Sequence, residues 1–191
     1  MKKPITIGID EVGRGALAGP VVLSAVLLRG PVRWWRPELG RIRDCKKLTP
    51  LRREAWFRYL ATHPRLTWRL TRVSPAVIDR INIARAANRG ARRLVHYLAP
   101  LRGKYRVLLD GGLILPQTLP HRTIVKGDER VPLIAAASII AKVSRDRLMT
   151  RLGRKFPDYG FPIHKGYGTL FHRRMIRRHG PSAVHRKTFS F

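Results

Sequence analysis

The chain has 191 residues, 44% of them hydrophobic, enough to bury the core of one domain. Its 40 Lys and Arg outweigh 11 Asp and Glu, and the resulting formal net charge of +29 favours polyanionic partners. Cys45 is the only cysteine, which excludes an intrachain disulfide and a multi-cysteine zinc site. The apolar stretch 17–28 falls short of the ~20 residues a membrane span requires.

In chain order, Met1-Lys2-Lys3-Pro4 has the charge of a signal-peptide start, but Asp10-Glu11 interrupts the apolar stretch that follows. No membrane association is expected, and the cytoplasm is the default location. Residues 5–10 predict a strand, and Gly13, Gly15 and Gly19-Pro20 a turn. Val21–Leu28 predicts a second strand, ended by Gly30-Pro31, and 31–49 a loop with an Arg and Trp surface. Residues 50–61 predict a short helix with Thr49 as N-cap and Pro50 in its first turn. Leu66–Val73 alternates apolar and polar residues, as a half-exposed strand does. Ser74-Pro75 opens a helix signal, and Ile83–Leu98 continues with helical periodicity. Residues 105–109 predict a fourth strand, ending at Asp110 before Gly111-Gly112. Residues 121–125 predict a fifth, ending near Lys126-Gly127-Asp128. A long Ala-rich helix over 132–152 and a very basic one over 169–179 complete an α/β order with a mixed sheet.

Three predicted strand ends thus carry acids: Asp10-Glu11, Asp110 and Asp128. Sites in α/β sheets gather at such ends. Adjacent carboxylates at a buried strand end repel, and a bound cation removes the repulsion. Mg²⁺ and Mn²⁺ prefer oxygen donors, and two such ions ~3.5–4 Å apart serve phosphodiester hydrolysis. Taken singly, Asp110 also reads as a turn residue and Asp128 as a residue serving the next helix start. Asp146, four residues after Lys142, reads as a helix-face ion-pair partner.

Along the chain stand Asp10-Glu11-Val12-Gly13-Arg14-Gly15, Asp44-Cys45-Lys46-Lys47-Leu48, Ile81-Asn82-Ile83, Leu109-Asp110-Gly111 and Lys126-Gly127-Asp128. They are followed by Ala136-Ala137-Ser138-Ile139-Ile140-Ala141-Lys142-Val143, Arg145-Asp146, His164-Lys165-Gly166-Tyr167 and His185-Arg186-Lys187-Thr188-Phe189. Together these segments resemble the type 2 ribonuclease H family, ribonuclease HII. The segments occur in family order and cover nearly the whole chain. The resemblance implies an RNase H-like fold: a central mixed five-stranded sheet flanked by helices, with a small helical C-terminal portion. It implies a single catalytic domain over 1–191, in which about 155–191 contact substrate. The implied activity is hydrolysis of the RNA strand of RNA–DNA hybrids and nicking 5′ of ribonucleotides embedded in duplex DNA. Products carry 3′-hydroxyl and 5′-phosphate ends. Asp10, Glu11, Asp110 and Asp128 match the family's catalytic, metal-binding acids, with Mn²⁺ or Mg²⁺ as cofactor. Gly13-Arg14-Gly15 matches its ribonucleotide sensor, and Tyr167 its sugar-stacking tyrosine. Lys46 and Ser138 fall in segments that lie near substrate phosphates. His164 and Lys165 read only as exposed loop residues.

The chain departs from the family pattern at Cys45, which stands where a serine is usual, and a thiol is the poorer hydrogen-bond donor. It is also more basic than the family pattern leads one to expect. A monomer is expected, and no tail for a sliding clamp is expected after Phe189. The type 3 enzymes, with an extra N-terminal domain and usually a lysine in place of Arg14, fit less well. Two other readings stay open: a non-catalytic basic nucleic-acid-binding protein, and a metal-dependent DNA nuclease on the same fold. The first leaves acids at three strand ends unexplained. The second leaves Gly13-Arg14-Gly15 and Tyr167 without a purpose.

Overall fold

The computed structural model describes residues 5–42, 47–100 and 104–190. Strand β1 (Ile5–Val12) pairs antiparallel with β2 (Val21–Leu28), which in turn pairs antiparallel with an edge strand, Leu66–Val73. Between them lie two two-residue strands, β3 (Trp35–Arg36) and β4 (Gly40–Arg41), then helix α1 (Pro50–Thr62); the edge strand is accordingly β5. The expected loop over 31–49 is thus corrected to contain a small hairpin. Trp34 packs on the core beside α1, whereas Trp35 is exposed. Thr49 caps α1 by accepting a hydrogen bond from the Arg52 amide, with Pro50 in the first turn.

Helices α2 (Pro75–Ile81) and α3 (Ile83–Leu98) lead to β6 (Tyr105–Asp110), which runs parallel to β1. Strand β7 (His121–Ile124) pairs parallel with β6 and closes the sheet order β5-β2-β1-β6-β7. One turn of helix, α4 (Gly127–Arg130), precedes the long α5 (Pro132–Lys155). A 3₁₀ turn at Pro157–Tyr159, then α6 (Phe161–His164) and α7 (Leu170–His179), follow.

The sheet is mixed and flanked by helices on both faces, so β1 and β2 are buried on both sides and read as apolar runs. Ile7, Ile9, Leu23, Ala25, Val107 and Leu109 face α3. That helix lies close because it presents Ala86, Ala87, Gly90 and Ala91 to the sheet. The other face packs against α1 and α5 around Val26, Trp56, Leu60, Ile139 and Ile140. Gly8 admits the start of α5: a Cβ there would stand 2.7 Å from the Leu133 carbonyl oxygen. The close approach fixes where α5 crosses β1, and with it the position of Ser138 beside Asp10. A third cluster joins Leu17 and Ala18 to Met149, Tyr159, Phe161 and Ile176, anchoring the C-terminal helices to the turn after β1.

Candidate active site

Asp10, Glu11, Asp110 and Asp128 line one cavity of about 490 Å³, together with Gly13, Arg14, Gly15, Ser138, Lys142 and Tyr167. Every described residue named as a candidate from the sequence is therefore brought to one place; Lys46 and Cys45 lie outside the described residues. Two placements correct the sequence reading. Strand β1 runs on through Val12, so Asp10 and Glu11 belong to the strand and not to its exit. Asp128 is not at a strand end but in the first turn of α4, entered through Lys126 in the left-handed conformation. Asp110 does end β6, and its carbonyl also accepts from the Leu113 amide in the turn that follows.

The acids are held by different means. Asp10 is 4% exposed, and its Oδ1 accepts from the Glu11 amide at 2.7 Å. Burial, then the neighbouring Glu11 charge, push its carboxyl well above the usual range, against a lowering hydrogen bond from Ser138. Burial also raises Glu11, against the lowering pull of Arg14. Glu11 Oε1 accepts from Arg14 Nη1 at 3.1 Å, but its Oε2 is buried with no hydrogen-bond partner among the described residues. Asp110 Oδ1 accepts from the amides of Gly127 (2.7 Å) and Asp128 (3.4 Å), so the start of α4 is tied to the end of β6. Arg14 Nη1 also donates to the Gly112 carbonyl at 2.7 Å, which turns this side chain toward the acids.

Among the described residues, no three of His, Cys, Asp or Glu already form a closed ligand group. The four acids line an open wall instead. An orphaned buried carboxylate oxygen and an adjacent buried acid held above its usual range nevertheless fit a hard divalent cation, which stabilises both in their charged forms.

The turn that carries Gly13-Arg14-Gly15 is set by two arginines, each fully buried and neither, among the described residues, in an ion pair with a carboxylate. Arg145, on α5, donates to the carbonyls of Pro20 (3.1 Å), Lys165 (2.9 Å) and Ala18 (3.1 Å). Arg186 donates to those of Gly19 (3.1 and 3.0 Å), Arg14 (2.7 Å) and Gly13 (2.6 Å). Gly13 adopts φ +92°, and a Cβ there would collide with Nε of Arg145. Tyr167 joins the same assembly: Ala16 and Tyr167 form an antiparallel bridge, and the Arg145 guanidinium lies 5.4 Å from the tyrosine ring centroid.

His164 corrects the expectation of an exposed loop residue, being 8% exposed and stacked on His172 with ring centroids 4.2 Å apart. His172 Nδ1 pairs with the Tyr167 carbonyl at 3.0 Å, and its Nε2 with His185 Nε2 at 3.0 Å. His185 Nδ1 in turn accepts from the Ser182 amide at 2.9 Å. One set of neutral tautomers satisfies this whole chain: His185 donates to His172, which donates to Tyr167. Burial lowers both His172 and His185 to about 4. The expected Lys142–Asp146 pair is present at 2.8 Å.

Lys142, Arg145 and Arg186 were not singled out from the sequence as site residues. A signal existed for two of them: Ser138, Lys142 and Arg145 follow at i, i+4 and i+7, one stripe of α5.

The ribonuclease HII family model matches residues 7–191. Ribonuclease HII of Chlamydia muridarum is 45% identical over 183 residues, covering 96% of this chain and 81% of the relative. That of Chlorobium phaeobacteroides is 42% identical over 186 residues, covering 95% and 88%. Among solved structures, a chain from the PCNA:RNase HII complex of Archaeoglobus fulgidus superposes with a TM-score of 0.80 at 27% identity. That match covers 98% of this chain and 96% of the other. With the acids, the glycine-flanked arginine and the tyrosine gathered in one cavity, and a family match that runs to the last residue, the chain belongs to the ribonuclease HII family.

Proposed function

We propose that the protein is an endoribonuclease that hydrolyses the RNA strand of RNA–DNA hybrids and nicks 5′ of ribonucleotides embedded in duplex DNA. The observation that carries this reading is the shared cavity, in which four acids face the Gly13-Arg14-Gly15 turn and Tyr167. Asp10, Glu11, Asp110 and Asp128 would hold Mn²⁺ or Mg²⁺. Such a cation, when bound, activates water and stabilises the departing 3′-oxygen, which leaves 3′-hydroxyl and 5′-phosphate ends.

The residues around the acids select and orient the substrate. Arg145 and Arg186 occupy the carbonyls of the turn, which holds Gly13-Arg14-Gly15 beside the acids with no side chain on either glycine to keep a sugar away. A 2′-hydroxyl donates and accepts, and is the group by which such a surface tells RNA from DNA. Nη1 of Arg14 is engaged with Glu11 and Gly112, leaving its other N–H groups for a phosphate. Tyr167, backed by Arg145, supplies a rigid ring for a sugar to rest on. Ser138 and Lys46 are assigned to substrate phosphates, and residues 155–191 to the substrate-contacting portion of one catalytic domain. No helix among the described residues is long and apolar enough to cross a membrane. A monomer acting in the cytoplasm on nucleic acid during replication and repair is the matching cellular role.

The test is cleavage of a labelled duplex carrying one ribonucleotide, with Mg²⁺ or Mn²⁺, beside an all-DNA duplex and the Asp110→Asn variant. A nick 5′ of the ribonucleotide, absent from both controls, is expected. Tight binding without a nick under either metal would favour the basic binding protein, and cutting of the all-DNA duplex the DNA nuclease.

A further inference from the structure

A second basic surface lies away from the acids. Helix α3 buries its small and aliphatic residues and leaves Arg89, Arg92, Arg93 and His96 exposed on its outer face. These positions fall at i, i+3, i+4 and i+7, one side of the helix. The sequence holds no acid between Asp79 and Asp110. Among the described residues, carboxylates pair with Arg14, Arg36, Lys47, Arg58, Lys142 and Arg147, and with none of the α3 arginines. Like charges one turn apart destabilise a helix, so the stripe is not explained by the helix itself.

Beside these arginines opens a cavity of about 790 Å³, larger than the one that holds the acids. Its far wall is formed by Pro116, Thr118 and Leu119, ahead of β7. Tyr97 stands in its lining with 64% of its surface exposed, and the half-buried Tyr105 sits at the start of β6. A tyrosine placed for packing would turn into the apolar side of α3; this one stays in water among four basic side chains. Tyr105 is paired with Ile5 at the end of the sheet opposite the acids, five residues before Asp110. That is roughly 17 Å along the strand.

We propose that this cleft is a second nucleic-acid site, which takes an unpaired strand. Arg89, Arg92 and Arg93 meet the phosphates, and the Tyr97 ring stacks on a base. An unpaired strand is favoured over a duplex because a concave site with an exposed ring needs a free base face, which pairing and stacking hide. Binding here does not depend on the nuclease reading. Its use does: a hybrid formed inside duplex DNA displaces one strand, and this cleft would hold that strand while the hybrid occupies the acids.

The test is fluorescence anisotropy of a short, labelled all-deoxy oligonucleotide with the full chain across a salt series. Tyr97→Ala is expected to weaken binding about fivefold to a hundredfold. Arg92→Gln with Arg93→Gln is expected to flatten the dependence of log affinity on log salt by about 1.4. Cleavage of a short, fully paired duplex with one ribonucleotide should be unchanged in both. Arg52→Gln with Arg69→Gln, on exposed positions elsewhere, removes the same charge as a control. Unchanged binding by Tyr97→Ala, or an equal loss in the control, would overturn the proposal. Failure of the wild-type chain to cut the ribonucleotide duplex would instead strike the nuclease reading and leave the anisotropy result standing.

Discussion

Replacing Arg186 tests whether the shape of its guanidinium, rather than its charge, sets the turn before the acids. The side chain makes four hydrogen bonds to three carbonyls, Gly13, Arg14 and Gly19, while fully buried. Stranding three buried carbonyls costs about 1–3 kcal/mol each, or roughly 3–9 kcal/mol in all. Against this stands the cost of the charge itself. Burial, then the nearby Arg145, lowers Arg186 from 12.5 to about 9, a penalty on the charged form of roughly 4–5 kcal/mol. Arg186→Met removes both, so its net effect should lie between about 2 kcal/mol of stabilisation and about 5 kcal/mol of destabilisation. Arg186→Lys keeps a buried cation and loses the planar fork, so it should be the less stable of the two. In both variants the turn is released from its carbonyl contacts. A displacement of about 1 Å at the reacting centre is enough to cost roughly a hundredfold in rate. Urea unfolding, alongside kcat/KM on the single-ribonucleotide duplex, reads the two effects separately. A Lys variant with wild-type stability and wild-type cleavage would refute the argument, since charge alone would then suffice.

Further predictions concern the acids, the turn and the histidines. Asp10→Asn removes a buried carboxylate that burial and Glu11 disfavour. The metal-free protein should unfold at a higher temperature than the wild type, while any rise in Tm that the wild type shows with Mn²⁺ or Mg²⁺ should be lost. Equal metal-induced shifts in both would count against Asp10 as a ligand. Gly13→Ala should destabilise by about 2 kcal/mol or more, because φ is +92° and the added methyl meets Arg145; calorimetry decides. His172 and His185 each have a folded value of about 4, below the ordinary 6.5. Their neutral forms belong to the fold, so stability is full above about pH 6.5 and falls as pH drops toward 4. Below that they cause no further loss. The decline should reach roughly 3 kcal/mol, counted for one imidazole because a second positive charge on the adjoining ring is disfavoured. A His172→Gln variant should flatten that decline in urea titrations, and an unchanged slope would remove the histidines as its source.

The strands and acids were legible because burial on both sheet faces writes β1 and β2 as apolar runs, against which Asp10-Glu11 stands out. Residues in the α3 core could be read in the same way, from the spacing of Ala86, Gly90, Leu94 and Leu98. The β3–β4 hairpin was not legible, since two-residue strands are too short to carry a period. Asp128 was misplaced because a single helical turn, entered through a left-handed Lys126, has no pattern of its own. Arg145 and Arg186 stayed hidden for a compositional reason: in a chain with 40 Lys and Arg, a buried arginine gives no contrast. The histidines escaped because their order exists only in three dimensions. His172 meets a partner 13 residues away, and nothing local distinguishes His185 from a solvated residue.

The reach of Arg186 also bears on when the site becomes complete. Its bonds to Arg14 and Gly13 span 172 and 173 residues, nearly the whole chain. Closing a contact of that span is an entropic cost that local structure cannot prepay. The turn beside the acids is thus secured by a residue synthesised long after it. A chain with Asp10, Glu11 and Asp110 already in their sheet and Asp128 in its helical turn would still lack its fixed turn until the segment carrying Arg186 had docked on it.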